Sequence, residues 1–136
     1  MSAAIPEKFN EIIEKSEFIW FTTVREDGMP QPTPVWFVRD GDTFVTYTMP
    51  DTFKVKNIRA NPKVALGLAN GDAGDYFVVQ GEAKIDESIP PANQMTAYYQ
   101  KYKDLIVEIG FTPETYIQTW SLPIRITPTH IRGDIE

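Results

Sequence analysis

The chain is predicted to be mainly β with α+β character: a small antiparallel barrel of six to seven strands with short helices at its joints. Its 136 residues suit a single domain spanning 1–136, long enough for one sizeable core and too short for two. Segments dense in Val, Ile, Thr, Phe, Trp and Tyr recur along it, separated by turn dipeptides. A sheet of that many strands removes its exposed edges by closing on itself.

At the N-terminus, Pro6 suits a first helical turn, and Ile5, Phe9, Ile12 and Ile13 share one face, which predicts a helix from about Pro6 to Lys15. Glu7, Glu11, Glu14 and Glu17 form its solvated side. The stretch from Ser16 to Met49 is cut by Asp27-Gly28 and Asp40-Gly41, dipeptides that join antiparallel neighbours, and reads as three strands in a meander. Within it Pro30, Pro32 and Pro34 stand at every second position. Their missing N–H groups point one way, so this strand is an edge or faces something other than a strand.

A helix follows from about Thr52 to Ala60, stopped by Asn61-Pro62. "KVALGLA" is a further strand, and "DYFVVQGEAKI" another, with a bulge expected at Gly81. "IPPANQMTAYYQKY" returns to a helical pattern opening on Pro90-Pro91, with Ala92, Met95, Tyr99 and Tyr102 on one side. Thr112 is placed to cap a short helix that starts Thr112-Pro113-Glu114. "PIRITPTHIRG" closes the chain as strand with a break at Pro128.

Composition narrows the function. A net charge of −6 opposes non-specific binding to nucleic acid or acidic lipid, so neither is an expected partner. The start lacks a basic segment followed by an apolar core, and no membrane span is evident. With no cysteine there is no disulfide, thiolate metal site or thiol nucleophile, which suits a cytoplasmic protein. His130 is the sole histidine and reads as a surface or packing residue; a His-based triad or His-rich metal cluster is ruled out. No carboxylate pair stands in an acid/base or metal-ligand motif, so no catalytic residue and no metal is assigned. An enzyme of this composition takes its chemistry from a bound cofactor. Phosphate-binding glycine loops of the nucleotide-triphosphate and dinucleotide types are also missing.

One window stands out: "TFKVKNIRANPKVALGLANG", from Thr52 to Gly71, holds four Lys or Arg between Lys54 and Lys63 and no acid. On a helix Lys54 and Asn57 lie about 60° apart, and Lys56 and Arg59 form a second such pair on another side. Lys54 and Asn57 at the helix start, with the hydroxyls of Thr48 and Thr52 and free backbone N–H groups, would form a compact phosphate site. Lys56 and Arg59 then reach a longer anionic tail, a partner subunit or water, and Lys63 is solvated. The plain alternative is a solvated basic helix face.

Taken in order and spacing, "DGMPQPTPVWF", "TMPDTFKVKNIRANPKVAL", "VVQGEAKI" and "SLPIRITPTHIRG" resemble the split β-barrel flavin-binding proteins of the pyridoxamine 5′-phosphate oxidase superfamily, most closely the branch that binds the deazaflavin coenzyme F-420. The resemblance covers nearly the whole chain. It implies a homodimer with two cofactor sites in clefts at the subunit interface. The cofactor phosphate would be held by Thr48, Thr52, Lys54 and Asn57, with Lys56 at a second basic position. The ring would lie along Gln31 to Trp36, on Gln31, Thr33, Pro34, Val35 and Trp36, contacted largely through their backbone. Trp20, Trp36, Tyr47, Tyr76, Tyr98, Tyr99 and Trp120 are candidate pocket or interface walls, although core packing is the commoner role of any one of them.

The implied activity is hydride transfer between the reduced deazaflavin and a small electrophilic organic substrate. Two alternatives stand beside it. One is the same fold using FMN as an oxidase or flavin reductase. The other is a non-enzymatic protein that stores a flavin, F-420 or haem, with His130 the only imidazole for haem iron. The C-terminus lacks the Arg-rich signature and Arg-Pro ending associated with a dedicated pyridoxamine-phosphate oxidase. Substrate pockets of this kind vary mainly at loops such as Asn70–Gly74 and in the Pro90–Tyr102 helix.

Overall fold

Tight turns set the local pairings. Gly28 takes a φ of +86°, where a side chain would be strained, and Asp27 accepts a hydrogen bond from the Met29 N–H at 3.2 Å. That turn joins β1 (Phe18–Val24) to β2 (Pro30–Trp36), and Gly41, φ +63°, turns β3 (Val38–Asp40) into β4 (Thr43–Thr48). The computed structural model describes residues 2–70 and 74–136. With β5 (Lys63–Asn70), β6 (Asp75–Ile85) and β7 (Leu122–Asp134), these strands form one antiparallel seven-stranded sheet in the order β2-β1-β5-β6-β7-β4-β3, curled as a split barrel.

The expected meander is corrected by this order. The segment expected to be one middle strand is interrupted at Phe37, and its halves β2 and β3 lie at opposite ends of the sheet. Phe37 cannot continue either ladder because its backbone is engaged elsewhere: its N–H donates to the Tyr102 hydroxyl at 2.8 Å, and its carbonyl accepts from Lys101 Nζ at 3.0 Å. The proline expectation holds. β2 pairs with β1 alone, Pro30, Pro32 and Pro34 facing Val24, Thr22 and Trp20.

The Gly81 expectation also holds in place, with a difference in which strand carries the extra residue. Gln80 faces His130 but Gly81 faces Pro128, so Thr129 of β7 is the inserted residue. A Cβ on Gly81 would stand 2.5 Å from the Thr127 carbonyl oxygen. The break expected at Pro128 does not occur: β7 runs through it, because the missing N–H falls where the ladder is already irregular.

A single 3-10 turn (Glu7–Phe9) leads into α1 (Asn10–Lys15), and α2 spans Phe53–Ala60, both where the pattern put them. The helix expected from Pro90 instead begins at Thr96: α3 spans Thr96–Glu108, and Ala92 and Met95 precede it. Pro91 serves as a turn whose carbonyl accepts from the N–H groups of Gln94 and Met95. The last helix, α4 (Pro113–Thr119), has the predicted cap, with the Thr112 hydroxyl accepting from the Thr115 N–H at 3.1 Å. No helix among the described residues is long and apolar enough to cross a membrane.

Two cores result. One fills the barrel with the inward residues of alternating strands, among them Phe21, Phe44, Leu66, Phe77 and Ile124, closed by Phe9 beneath the leading helix. The second lies between β3–β4 and the pair α3–α4, and is built from Tyr47, Tyr98, Tyr102, Ile106 and Tyr116 with Trp36 against them. This second, aromatic core carries one wall of the cleft described next.

Candidate functional site

Where β2, β4 and the head of α2 meet, a cavity of about 200 Å³ opens. Pro34, Val35 and Trp36 come from β2, Tyr47 and Thr48 from β4, Lys54 from α2, Ile109 from the end of the helix Thr96–Glu108, and Tyr116 and Trp120 from the last helix and its C-cap. Lys54 is half-buried, and burial holds its ammonium below the usual lysine range. It forms no ion pair among the described residues; its nearest ring is Phe53, 5.6 Å away. A partly desolvated cation without a carboxylate favours an external anion.

The aromatic lining residues are stacked on one another and on the core. Trp36 lies parallel to Tyr102, centroids 4.7 Å apart and planes 4° from parallel, and nearly parallel to Tyr116 at 5.8 Å. Tyr116 in turn stacks on Trp120 at 4.7 Å. The Tyr98 and Tyr116 hydroxyls are 2.8 Å apart, and Tyr47 donates to the Pro90 carbonyl at 2.6 Å. These phenols hold the rings in place; burial pushes the Tyr116 hydroxyl up to about 12 and raises Tyr47, Tyr98 and Tyr102 as well, so all four are neutral donors. The cavity thus offers one cation and aromatic planes, a setting for a flat anionic molecule.

Of the residues singled out from the sequence, the structure brings Thr48, Lys54, Pro34, Val35 and Trp36 to this cavity. Gln31, Lys56 and Asn57 border a second cavity of about 400 Å³ at α2, together with Arg25 and Asp27. Asn57 differs most from expectation. It is buried, and its amide nitrogen donates to Thr23 Oγ1 at 3.0 Å and Gln31 Oε1 at 2.8 Å, so it fastens α2 to β1 and β2. Thr52 lines neither cavity but its hydroxyl meets that of Thr48 at 3.3 Å. Thr33 Oγ1 is buried without a partner, in the strand beside the cleft.

Among the aromatic candidates, Trp36, Tyr47 and Trp120 line the cleft, Tyr98 is core, and Trp20 and Tyr76 lie on the outer sheet face. Tyr116 and Ile109 were not singled out from the sequence; the Thr112 cap, which fixes the phase of α4, was the one available signal for Tyr116. His130 is exposed on β7 opposite Gln80 and does not line the cleft. No cluster of three or more His, Cys, Asp or Glu suited to a metal occurs among the described residues. Of the loop Asn70–Gly74, residues 71–73 lie outside the described residues.

A curled seven-stranded antiparallel sheet with short flanking helices defines a split β-barrel. The sequence agrees: the pyridoxamine 5′-phosphate oxidase family model matches residues 5–131, and the chain belongs to that family. It is similar to the solved structure of an F-420 reductase, with 26% identity, 94% of this chain and 98% of that chain covered, and a TM-score of 0.72. The general stress protein 26 of Bacillus anthracis shares 24% identity over 93% of this chain and 91% of its own, TM-score 0.71. HutZ, the haem storage protein of Vibrio cholerae, shares the fold at 14% identity over 96% and 94%, TM-score 0.65. Comparison with curated proteins gives no match.

Proposed function

We propose that the chain is an oxidoreductase that binds coenzyme F-420 and moves a hydride between the reduced deazaflavin and a small unsaturated organic substrate, acting as a cytoplasmic homodimer. The half-buried Lys54, free of any ion pair among the described residues and facing a stacked aromatic wall, carries this reading. Lys54 and the Thr48 hydroxyl are suited to the cofactor phosphate, and Lys56 to a longer anionic tail. The orphaned Thr33 hydroxyl and the unpaired edge of β2 leave polar groups for the ring. When bound, the deazaflavin supplies the hydride chemistry. The chain's own part is to hold the phosphate, order the ring against β2 and keep water from the aromatic side.

The choice of F-420 is supported by the similarity to the F-420 reductase. FMN is the second reading, supported by the family model. Haem has less support, since His130 does not line the cleft. The dimer is consistent with size: about 200 Å³ in one chain falls short of the roughly 300 Å³ at which small-molecule pockets begin, which fits a wall completed by a second chain. The outer face of β1, β5 and β6 offers a surface for it, with Phe18 and Trp20 about half exposed (51% and 49%) beside Val78 and Tyr76.

Titration of the protein with F-420, FMN and haem, followed by absorbance and fluorescence, tests the assignment. Tightest binding of F-420 is expected. Preference for FMN would transfer the site to that cofactor, and an affinity unchanged in Lys54→Ala would remove Lys54 from the phosphate site.

A further inference from the structure

Each phenol of the aromatic core has one O–H proton to place. Tyr47 gives its proton to the Pro90 carbonyl at 2.6 Å, and Tyr102 gives its own to the Glu17 carbonyl at 2.6 Å. The Tyr98 and Tyr116 hydroxyls have only each other, 2.8 Å apart, among the described residues. Two protons and one hydrogen bond leave one O–H without an acceptor. Burial decides which. Tyr98 is fully enclosed and is not part of the cleft lining, so an unpaired O–H there is costly, whereas Tyr116 lines the cleft. Tyr98 therefore donates to Tyr116, and the Tyr116 O–H is left to whatever the cleft holds.

We propose that Tyr116 donates this hydrogen bond to a ring carbonyl oxygen of the flat molecule bound in the cleft. Lys54 is the one charged side chain on the lining among the described residues, so away from the anion that Lys54 attracts the cleft suits an uncharged acceptor. The Tyr116 ring is held between Trp36, centroids 5.8 Å apart, and Trp120, at 4.7 Å, which fixes the direction of its hydroxyl. Accepting a bond from Tyr98 polarises that hydroxyl and makes it a stronger donor. An O–H so placed holds a carbonyl oxygen more tightly as negative charge builds on it, which is the service hydride delivery to a conjugated carbonyl needs. Tyr98 is then a positioning residue, acting through Tyr116. Flavin-type rings and flat ketone substrates both present such an oxygen, and the test separates them.

The inference rests on the cleft being the cofactor and substrate site, but its first arm uses no cofactor, so the two fail separately. The whole protein is titrated with 1-indanone and with indane, the same flat frame without the carbonyl, and both titrations are repeated with F-420 or FMN bound. The ratio of the two affinities removes what the frame itself contributes. It should fall about threefold or more in Tyr116→Phe, the loss of one hydrogen bond, and hold in Tyr98→Phe. The infrared carbonyl stretch of bound indanone should lie lower in the parent and in Tyr98→Phe than in Tyr116→Phe. A Tyr116 effect that persists with cofactor bound gives the O–H to substrate; one that disappears gives it to the cofactor's own ring carbonyl. Stability supplies an independent check. Tyr116→Phe strands the buried Tyr98 proton and Tyr98→Phe strands none, so the urea midpoint should fall further in Tyr116→Phe and recover in part when both are Phe. No binding of indanone to the parent, a ratio unchanged in Tyr116→Phe, or Tyr98→Phe as the less stable single variant would overturn the proposal.

Discussion

Lys54 and Asn57 lie within one turn of α2 and are placed differently, Lys54 at the cavity and Asn57 bonded to Thr23 and Gln31. Truncating Lys54 to Ala should weaken cofactor binding tenfold or more, since one charge-assisted contact is worth about 1.5–3 kcal/mol. Truncating Asn57 should lower stability by about 1–3 kcal/mol, read in a urea melt, by stranding the buried Thr23 hydroxyl and freeing Gln31. Helical spacing places both residues near a phosphate. It says nothing of what lies across the sheet, and for Asn57 the partners come from Thr23 and Gln31, distant in the chain. The place of Lys54 at the cavity was therefore legible from the sequence and the packing role of Asn57 was not. The tyrosines add a pH dependence. Their folded values lie above the ordinary phenol value of about 10, so their contribution is intact below pH 10 and is lost as pH rises from 10 through the Tyr116 value of about 12. An alkaline unfolding series followed by circular dichroism should show stability falling over that range.

At the scale of elements, the bulge joining β6 and β7 gives the clearest expectation. Gly81→Ala places a methyl group 2.5 Å from the Thr127 carbonyl oxygen, and backbone cannot swing aside as a side chain can. The midpoint in urea should drop by an amount corresponding to about 1–3 kcal/mol, with the slope unchanged. The bulge and the proline-marked edge were legible because Gly and Pro act on their own backbone. The start of α3 and the interruption at Phe37 were not. Pro90-Pro91 suits a turn as well as a helix start, and Phe37 sits inside an unbroken apolar run whose interruption depends on Tyr102, 65 positions away.

For the whole molecule, a second copy of the chain should be needed for full cofactor affinity. Trp20→Glu, on the outer face of β1, is expected to shift the protein to monomer in analytical ultracentrifugation and to weaken the cofactor in parallel; a monomer that binds as well as the parent would separate dimer from site. The barrel was legible from strand number and turn chemistry, and the family from ordered motifs. The strand order was not, because β1–β5 and β4–β7 pairings join distant segments that no local pattern relates. That order carries a further consequence at Phe37. The two ends of the sheet are linked there by a single residue and held by Tyr102 and Lys101, so the ring can part at that point without breaking any rung of a ladder. Backbone amides of β2 and β3 should exchange their hydrogens for deuterium well before those of β5, β6 and β7, making the seam the place where the barrel breathes.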